Sequence, residues 1–186
     1  MNNKILKLAM VLFLICAVTA GVLGIVNALT WERIDQITHQ KEYEAYAAVL
    51  GSDSGYTAVE FDKTAFPTVD SVNQSNDGNG YVVTSTFSGA QGSITMACGV
   101  DNDLKCTGIS IIEHSETSGL GAVAASTSSA GEAFRAQFVG QDASIALSKA
   151  GGSIDALAGE TITSTAVTNA LNAGLNFYET VLKGGN

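Results

Sequence analysis

Proline occurs once in this 186-residue chain, histidine twice and cysteine three times, and nine Lys and Arg residues stand against 18 Asp and Glu. Each scarcity excludes something. Lys4 and Lys7 precede the first apolar run and every acid follows it, so from residue 30 onward seven basic residues face 18 acidic ones, a net charge of −11. Such a surface repels phosphate backbones, whose capture needs clustered Lys and Arg, and nucleic acid is excluded as a partner. The acidity serves solubility, with most of these carboxylates solvated. Cys16, Cys98 and Cys106 form no C-x-x-C pair and have no histidine neighbour, which argues against a zinc or iron–sulfur site built from this chain alone. His39 stands among Gln and Lys and reads as a solvated residue. The sole proline, Pro67, falls in a connecting stretch where a missing N–H costs no ladder bond.

What is present begins with residues 8–29, 22 positions without a charge. A bilayer core of about 30 Å needs roughly 20 helical residues, so this run predicts a transmembrane helix. Lys4 and Lys7 on one side, with Glu32, Arg33 and Asp35 on the other, place the N-terminus in the cytoplasm and the remainder outside it. A cleaved signal peptide ending near Val26-Asn27-Ala28 is the competing reading, but the run exceeds the usual apolar core of about 7–15 residues. Residues 31–50 predict a helical stem, with Trp31 at the interface and Ile34, Ile37 and Tyr46 on a thin apolar edge.

From residue 71 the texture changes to short alternating runs. Residues 71–74, 81–87, 93–99 and 106–112 predict strands, separated by Gly- and Asn-rich turns at 76–80, 88–92 and 101–103, hence an antiparallel meander. Cys98 and Cys106 flank the Asn102 turn at equal distances, and whether they are bridged depends on a register that the sequence leaves open. Residues 134–138 predict a brief helix and 143–147 a further strand. At the end, Val167, Leu171, Leu175, Tyr178 and Leu182 fall on one helical face. Thr161, Thr163, Ser164 and Thr165 stand ahead of it as N-cap candidates, so the stretch 155–161 meets the electropositive end of a helix, where an anion is favoured.

Two strings go beyond periodicity. Residues 155–161 read D-A-L-A-G-E-T, and residues 114–121 read H-S-E-T-S-G-L-G. The first resembles the flavinylation motif D-x-x-[ST]-G-A-T of the FMN-binding domain family, shared by the G subunit of the Rnf complex and the C subunit of the sodium-pumping NADH:quinone reductase. Asp155, Gly159 and Thr161 match, and Thr163 and Ser164 resemble the continuation; Ala158 and Glu160 depart. Glu160 sets a carboxylate beside the threonine, a repulsion that falls to about 1 kcal/mol at close range in solvent. The second string resembles H-x-E-T-P-G-L-G of the same family, matching at His114, Glu116, Thr117, Gly119, Leu120 and Gly121 and departing at Ser118.

The resemblance implies an α+β fold: a single N-terminal transmembrane helix, then an extracytoplasmic FMN-binding domain with an antiparallel sheet and a C-terminal helix. Residues 1–30 would be the cytoplasmic N-terminus and anchor, 31–66 the stem and connector, and 67–186 the flavin domain. It further implies FMN joined to Thr161 by a phosphoester, with Asp155, Gly159, Thr163 and Ser164 around the attachment and His114, Glu116, Thr117, Gly119, Leu120 and Gly121 lining the cofactor. The expected role is electron transfer in an ion-translocating Rnf-type ferredoxin:NAD oxidoreductase in the bacterial plasma membrane. Its expected partners are the other membrane subunits and a flavin transferase. The C subunit of the quinone reductase and a non-enzymatic anchored binding module are the alternatives.

Overall fold

The computed structural model describes residues 3–52, 54–118, 121–142 and 144–184. The chain divides into two compact units, Met1–Lys41 and Glu42–Asn186. Helix α1 runs unbroken over Asn3–Leu50. Among the described residues it is the one helix long and apolar enough to cross a membrane, a segment fit for anchoring. Its hydroxyls suit that medium, because Thr19 and Thr30 each donate to a carbonyl one turn back, those of Ile15 and Val26, at 2.9 Å. His39 pairs with Asp35 one turn before it, at 3.6 Å and well exposed.

In the second unit, helix residues 42–50 pack against the sheet. Tyr46 and Val49 are buried against Val82 and Ala97, and the Tyr46 hydroxyl lies 3.2 Å from Thr84 Oγ1. Five strands follow as an antiparallel meander in chain order: β1 (Tyr56–Ala58), β2 (Val69–Ser75), β3 (Gly80–Ser88), β4 (Ser93–Asp101) and β5 (Cys106–His114). All four sequence-predicted strands are present, each longer than its apolar core. The short edge strand β1 has no alternating pattern to announce it.

The opposite face of the sheet carries α2 (Ser129–Ala136) and α3 (Thr161–Phe177), which continues as a wider π-helical turn over Tyr178–Lys183. Val167, Leu171, Leu175 and Tyr178, the periodic face, are buried there with Met96, Val100, Ile109, Phe134 and Phe138. Full burial of a large apolar side chain is worth about 1.5–3 kcal/mol, so this layer fixes α3 on the sheet.

One sequence expectation needs correcting, and the register settles one question that the sequence leaves open. The strand at 143–147 does not form: Ala143 lies outside the described residues, and Leu147 makes a single parallel bridge to Ile154 before a short turn of 3₁₀ helix, Ser148–Ala150. Cys98 and Cys106 are buried free thiols and do not face each other. A bulge shifts the register between Gly99 and Val100, so Cys98 pairs with Ile109 and Cys106 with Val100, leaving the two thiols on a diagonal. Burial first, and the neighbouring Cys106 second, push the Cys98 thiol well above its ordinary range.

Candidate functional site

The stretch ahead of α3 is shaped by one glycine. Gly159 has φ +80°, a left-handed conformation, and the Glu160 N–H closes a turn on the Leu157 carbonyl at 3.0 Å. That is the signature of a type II turn, which asks for glycine at its third position. The chain then enters α3 at Thr161, with Glu160 as N-cap and no side-chain bond capping the helix.

The four hydroxyls therefore do not act as caps, against the sequence expectation. Thr165 Oγ1 donates back to the Thr161 carbonyl at 2.7 Å. Ser164 Oγ donates to the Glu160 carbonyl at 2.8 Å and accepts the Leu157 N–H at 3.0 Å, stapling the turn to the helix. Thr163 Oγ1 has one proton and two carboxylate acceptors, Glu116 Oε2 at 3.1 Å and Glu160 Oε2 at 3.3 Å. Glu160 thus turns toward Thr163 instead of out to solvent. The Thr161 hydroxyl is exposed and has no hydrogen-bond partner among the described residues. Neither do the backbone N–H groups of Thr161, Ile162 and Thr163; the first N–H of α3 bonded to a protein acceptor is that of Ser164, on the Glu160 carbonyl at 3.0 Å.

Glu116 lies across from this helix start and is buried, 8% exposed. Its Oε1 accepts the N–H groups of Ala90 and Gln91 at 2.8 and 3.3 Å. A cavity of about 240 Å³ opens between the two sides, lined by Ala90, Gln91, Glu116 and Thr117 on one and by residues 159–162 on the other.

The two sequence motifs therefore meet at one cavity. Glu116, Thr117, Gly159 and Thr161 line it directly, and Thr163 and Ser164 stand behind Thr161. Gly121 is buried behind Glu116, where a Cβ would collide with Glu116 Oε2 and Thr163 Oγ1, so its bareness makes room for protein atoms. His114 Nδ1 accepts the Glu116 N–H at 3.3 Å from the end of β5. Gly119 and Leu120 lie outside the described residues. Asp155 is not on the cavity wall. Its backbone is clamped by Gln137, whose Oε1 accepts the Asp155 N–H at 2.7 Å while Nε2 donates to the Asp155 carbonyl at 3.2 Å. Ala90, Gln91 and Gln137 are not singled out by the sequence. The first two sit in a glycine-flanked turn that reads as an ordinary connection, and Gln137 carries no local signal.

Comparison with known proteins shows the family. The model of the FMN-binding domain matches residues 89–176, which include the cavity wall from the 88–92 turn to α3, and the model of the RnfG N-terminal region matches residues 1–49. The G subunit of the ion-translocating oxidoreductase complex of Methanosarcina acetivorans is 32% identical over 184 residues, covering 95% of each chain. The G subunit of the Na(+)-translocating ferredoxin:NAD(+) oxidoreductase complex of Acetobacterium woodii is 32% identical over 200 residues, covering 96% of this chain and 94% of the relative. In Aliivibrio fischeri the G subunit of an ion-translocating oxidoreductase complex is 36% identical over 95 residues, half of this chain and 45% of its own length. With these relatives named as G subunits, an FMN-binding model over the site and an RnfG model over the helix ahead of it, the chain belongs to the RnfG family, the G subunits of Rnf-type ion-translocating oxidoreductase complexes.

Proposed function

We propose that this chain is an electron-transfer subunit that carries FMN on Thr161 through a phosphoester and passes electrons through it within an ion-translocating ferredoxin:NAD oxidoreductase complex. One observation carries the reading: Thr161 presents an unpartnered, exposed hydroxyl at the first position of a 17-residue helix whose first three N–H groups bond to no described acceptor. Such a terminus favours an anion through its free donors and the helix dipole. The residues fit an esterified phosphate. Thr161 Oγ would form the ester bond, and the N–H groups of α3 would hold the phosphate oxygens.

When bound, FMN supplies the reversible electron storage, and the protein supplies tether, orientation and surroundings. Thr163 and Ser164 hold the helix start to Glu116 and to the Gly159 turn, and Gln137 holds the backbone of Asp155. No side chain at the cavity is asked to act as nucleophile or acid after attachment. Further partners are the other membrane subunits and a flavin transferase that delivers the flavin phosphate. Residues 1–30 serve as anchor with the N-terminus in the cytoplasm, 31–66 as stem and connector, of which 42–50 pack onto the sheet and β1 joins it, and 67–186 as the flavin domain outside the bacterial plasma membrane, following the charge bias of Lys4 and Lys7.

Intact-protein mass spectrometry after coexpression with a flavin transferase tests the assignment. The wild type is expected to gain the mass of FMN less water, as Oγ–P replaces Oγ–H. Thr161→Ala is expected to lose that increment completely. Thr163→Ala should keep it and lose about 1.5–3 kcal/mol of stability, the cost of a hydrogen bond to a charged group. A flavin adduct that persists on Thr161→Ala refutes the attachment site.

A further inference from the structure

The cavity beside Thr161 has two places on its wall where backbone N–H groups could receive an anion. One is the start of α3. The other is the 88–92 turn, where the successive N–H groups of Ala90 and Gln91 converge at 2.8 and 3.3 Å on one oxygen, Glu116 Oε1. Consecutive turn N–H groups of this kind make an anion-binding concavity. Here the protein's own carboxylate fills it. Glu116 is 8% exposed, its second oxygen accepts from Thr163 at 3.1 Å, and it is packed on both flanks by bare glycines. A Cβ on Gly89 would overlap Glu116 Oε1, and one on Gly121 would overlap Oε2. The carboxylate is thus built into the wall, joining the turn, the 3₁₀ segment Gly121–Ala125 and the first turn of α3.

We propose that Glu116 is a positioning residue of the flavin site: by occupying the anion seat of the 88–92 turn, it confines the flavin phosphate to the free N–H groups of α3. The proposal rests on the attachment reading for Thr161 given above. Two seats compete for one phosphate. Ala90 and Gln91 line the same cavity as Thr161, so an empty turn would offer a phosphoester there a second pair of N–H donors. Glu116 removes that choice twice over, since it satisfies the two N–H groups and places a negative charge where the phosphate would otherwise go. A phosphate held only at α3 gives the flavin chain one starting direction, which an electron relay needs.

The test uses the full-length protein coexpressed with a flavin transferase, as wild type, Glu116→Gln, Glu116→Ala and Thr163→Val. The phosphorus NMR resonance of the phosphodiester and the amide exchange rates of Ala90 and Gln91 are read. Glu116→Gln retains an acceptor oxygen for the turn and should leave the resonance near its wild-type position. Glu116→Ala opens the turn seat, so exchange at Ala90 and Gln91 should quicken by about tenfold or more, and the resonance should shift or broaden as phosphate samples both seats. Thr163→Val withdraws one hydrogen bond from Glu116 without touching the turn, and should move the resonance in the same direction by less. It also decides the matter should Glu116→Ala not fold. A wild type that gains no flavin mass refutes the attachment reading itself. A flavinylated set in which neither Glu116→Ala nor Thr163→Val moves the resonance, with or without faster exchange, reduces Glu116 to a structural strut and overturns the proposal.

Discussion

Helices α2 and α3 lie on the same face of the sheet and begin in opposite ways. Ser128 starts α2 in an extended conformation, and its Oγ accepts the Gly131 N–H at 3.2 Å, an ordinary N-cap. Helix α3 opens with Thr161, Thr163, Ser164 and Thr165, far richer in hydroxyls, and caps none of its first N–H groups with them. Three of those hydroxyls bond instead to carbonyls one turn back or to carboxylates, that of Thr161 bonds to none of the described residues, and three N–H donors are left without an acceptor among the described residues. Capping is worth about 1 kcal/mol, so an uncapped start on the longer helix is a stability forgone. A hydroxyl-rich helix start is therefore no evidence of a cap until its acceptors are known. The FMN phosphate proposed for Thr161 would take the place of the forgone cap.

The contrast between the two helix starts is most sensitive at Ser164. Removing its hydroxyl leaves the half-buried Leu157 N–H unpaired and detaches the Gly159 turn from α3, so Ser164→Ala is expected to cost about 1–3 kcal/mol in a denaturant titration. Ser128→Ala, at the start of α2, should cost less, about 1 kcal/mol, and leave flavin attachment unaffected. The mirror-image substitution adds a cap where none exists: Glu160→Ser is expected to stabilise the unmodified protein by up to about 1 kcal/mol while weakening the preference of the helix start for phosphate. Equal effects of Glu160→Ser on modified and unmodified protein would show that the helix start is not the phosphate seat.

The smallest effect is expected at the far end of the domain, where Lys105 Nζ donates to Asp142 Oδ2 at 2.7 Å. The hydrogen bond and charge of Lys105 hold the Asp142 carboxyl below its ordinary range. Its contribution is therefore present above the unfolded carboxylate range and is lost as pH falls through the lowered folded value. The pair is exposed and screened, so Asp142→Asn should lower the melting temperature slightly near neutrality and not at all in strong acid.

How far the sequence carries this architecture depends on the range of the interaction. Val167, Leu171 and Leu175 announce α3 because a helix repeats its buried face every three or four residues, and the strands announce themselves by alternation. Three residues are too few for a period, so β1 is silent. The 143–147 stretch is apolar enough for a strand but meets only one bridging partner. The partners of the α3 hydroxyls are illegible for a different reason: Thr163 is bonded to Glu116, 47 residues away, and the Asp155 backbone to Gln137, 18 residues away. Motif resemblance brings Glu116 and Thr161 together, and only the fold shows that the carboxylate of Glu116 faces the 88–92 turn and Thr163 as a wall of the cavity.

The most direct measurement compares backbone amide resonances of the protein with and without FMN on Thr161, using Gly131 as the internal reference because Ser128 already caps it. Large shifts and slowed exchange are expected at Thr161, Ile162 and Thr163 on flavinylation, with Gly131 unmoved. Unchanged amides at those three positions in a fully flavinylated protein would contradict a phosphate seated on the start of α3.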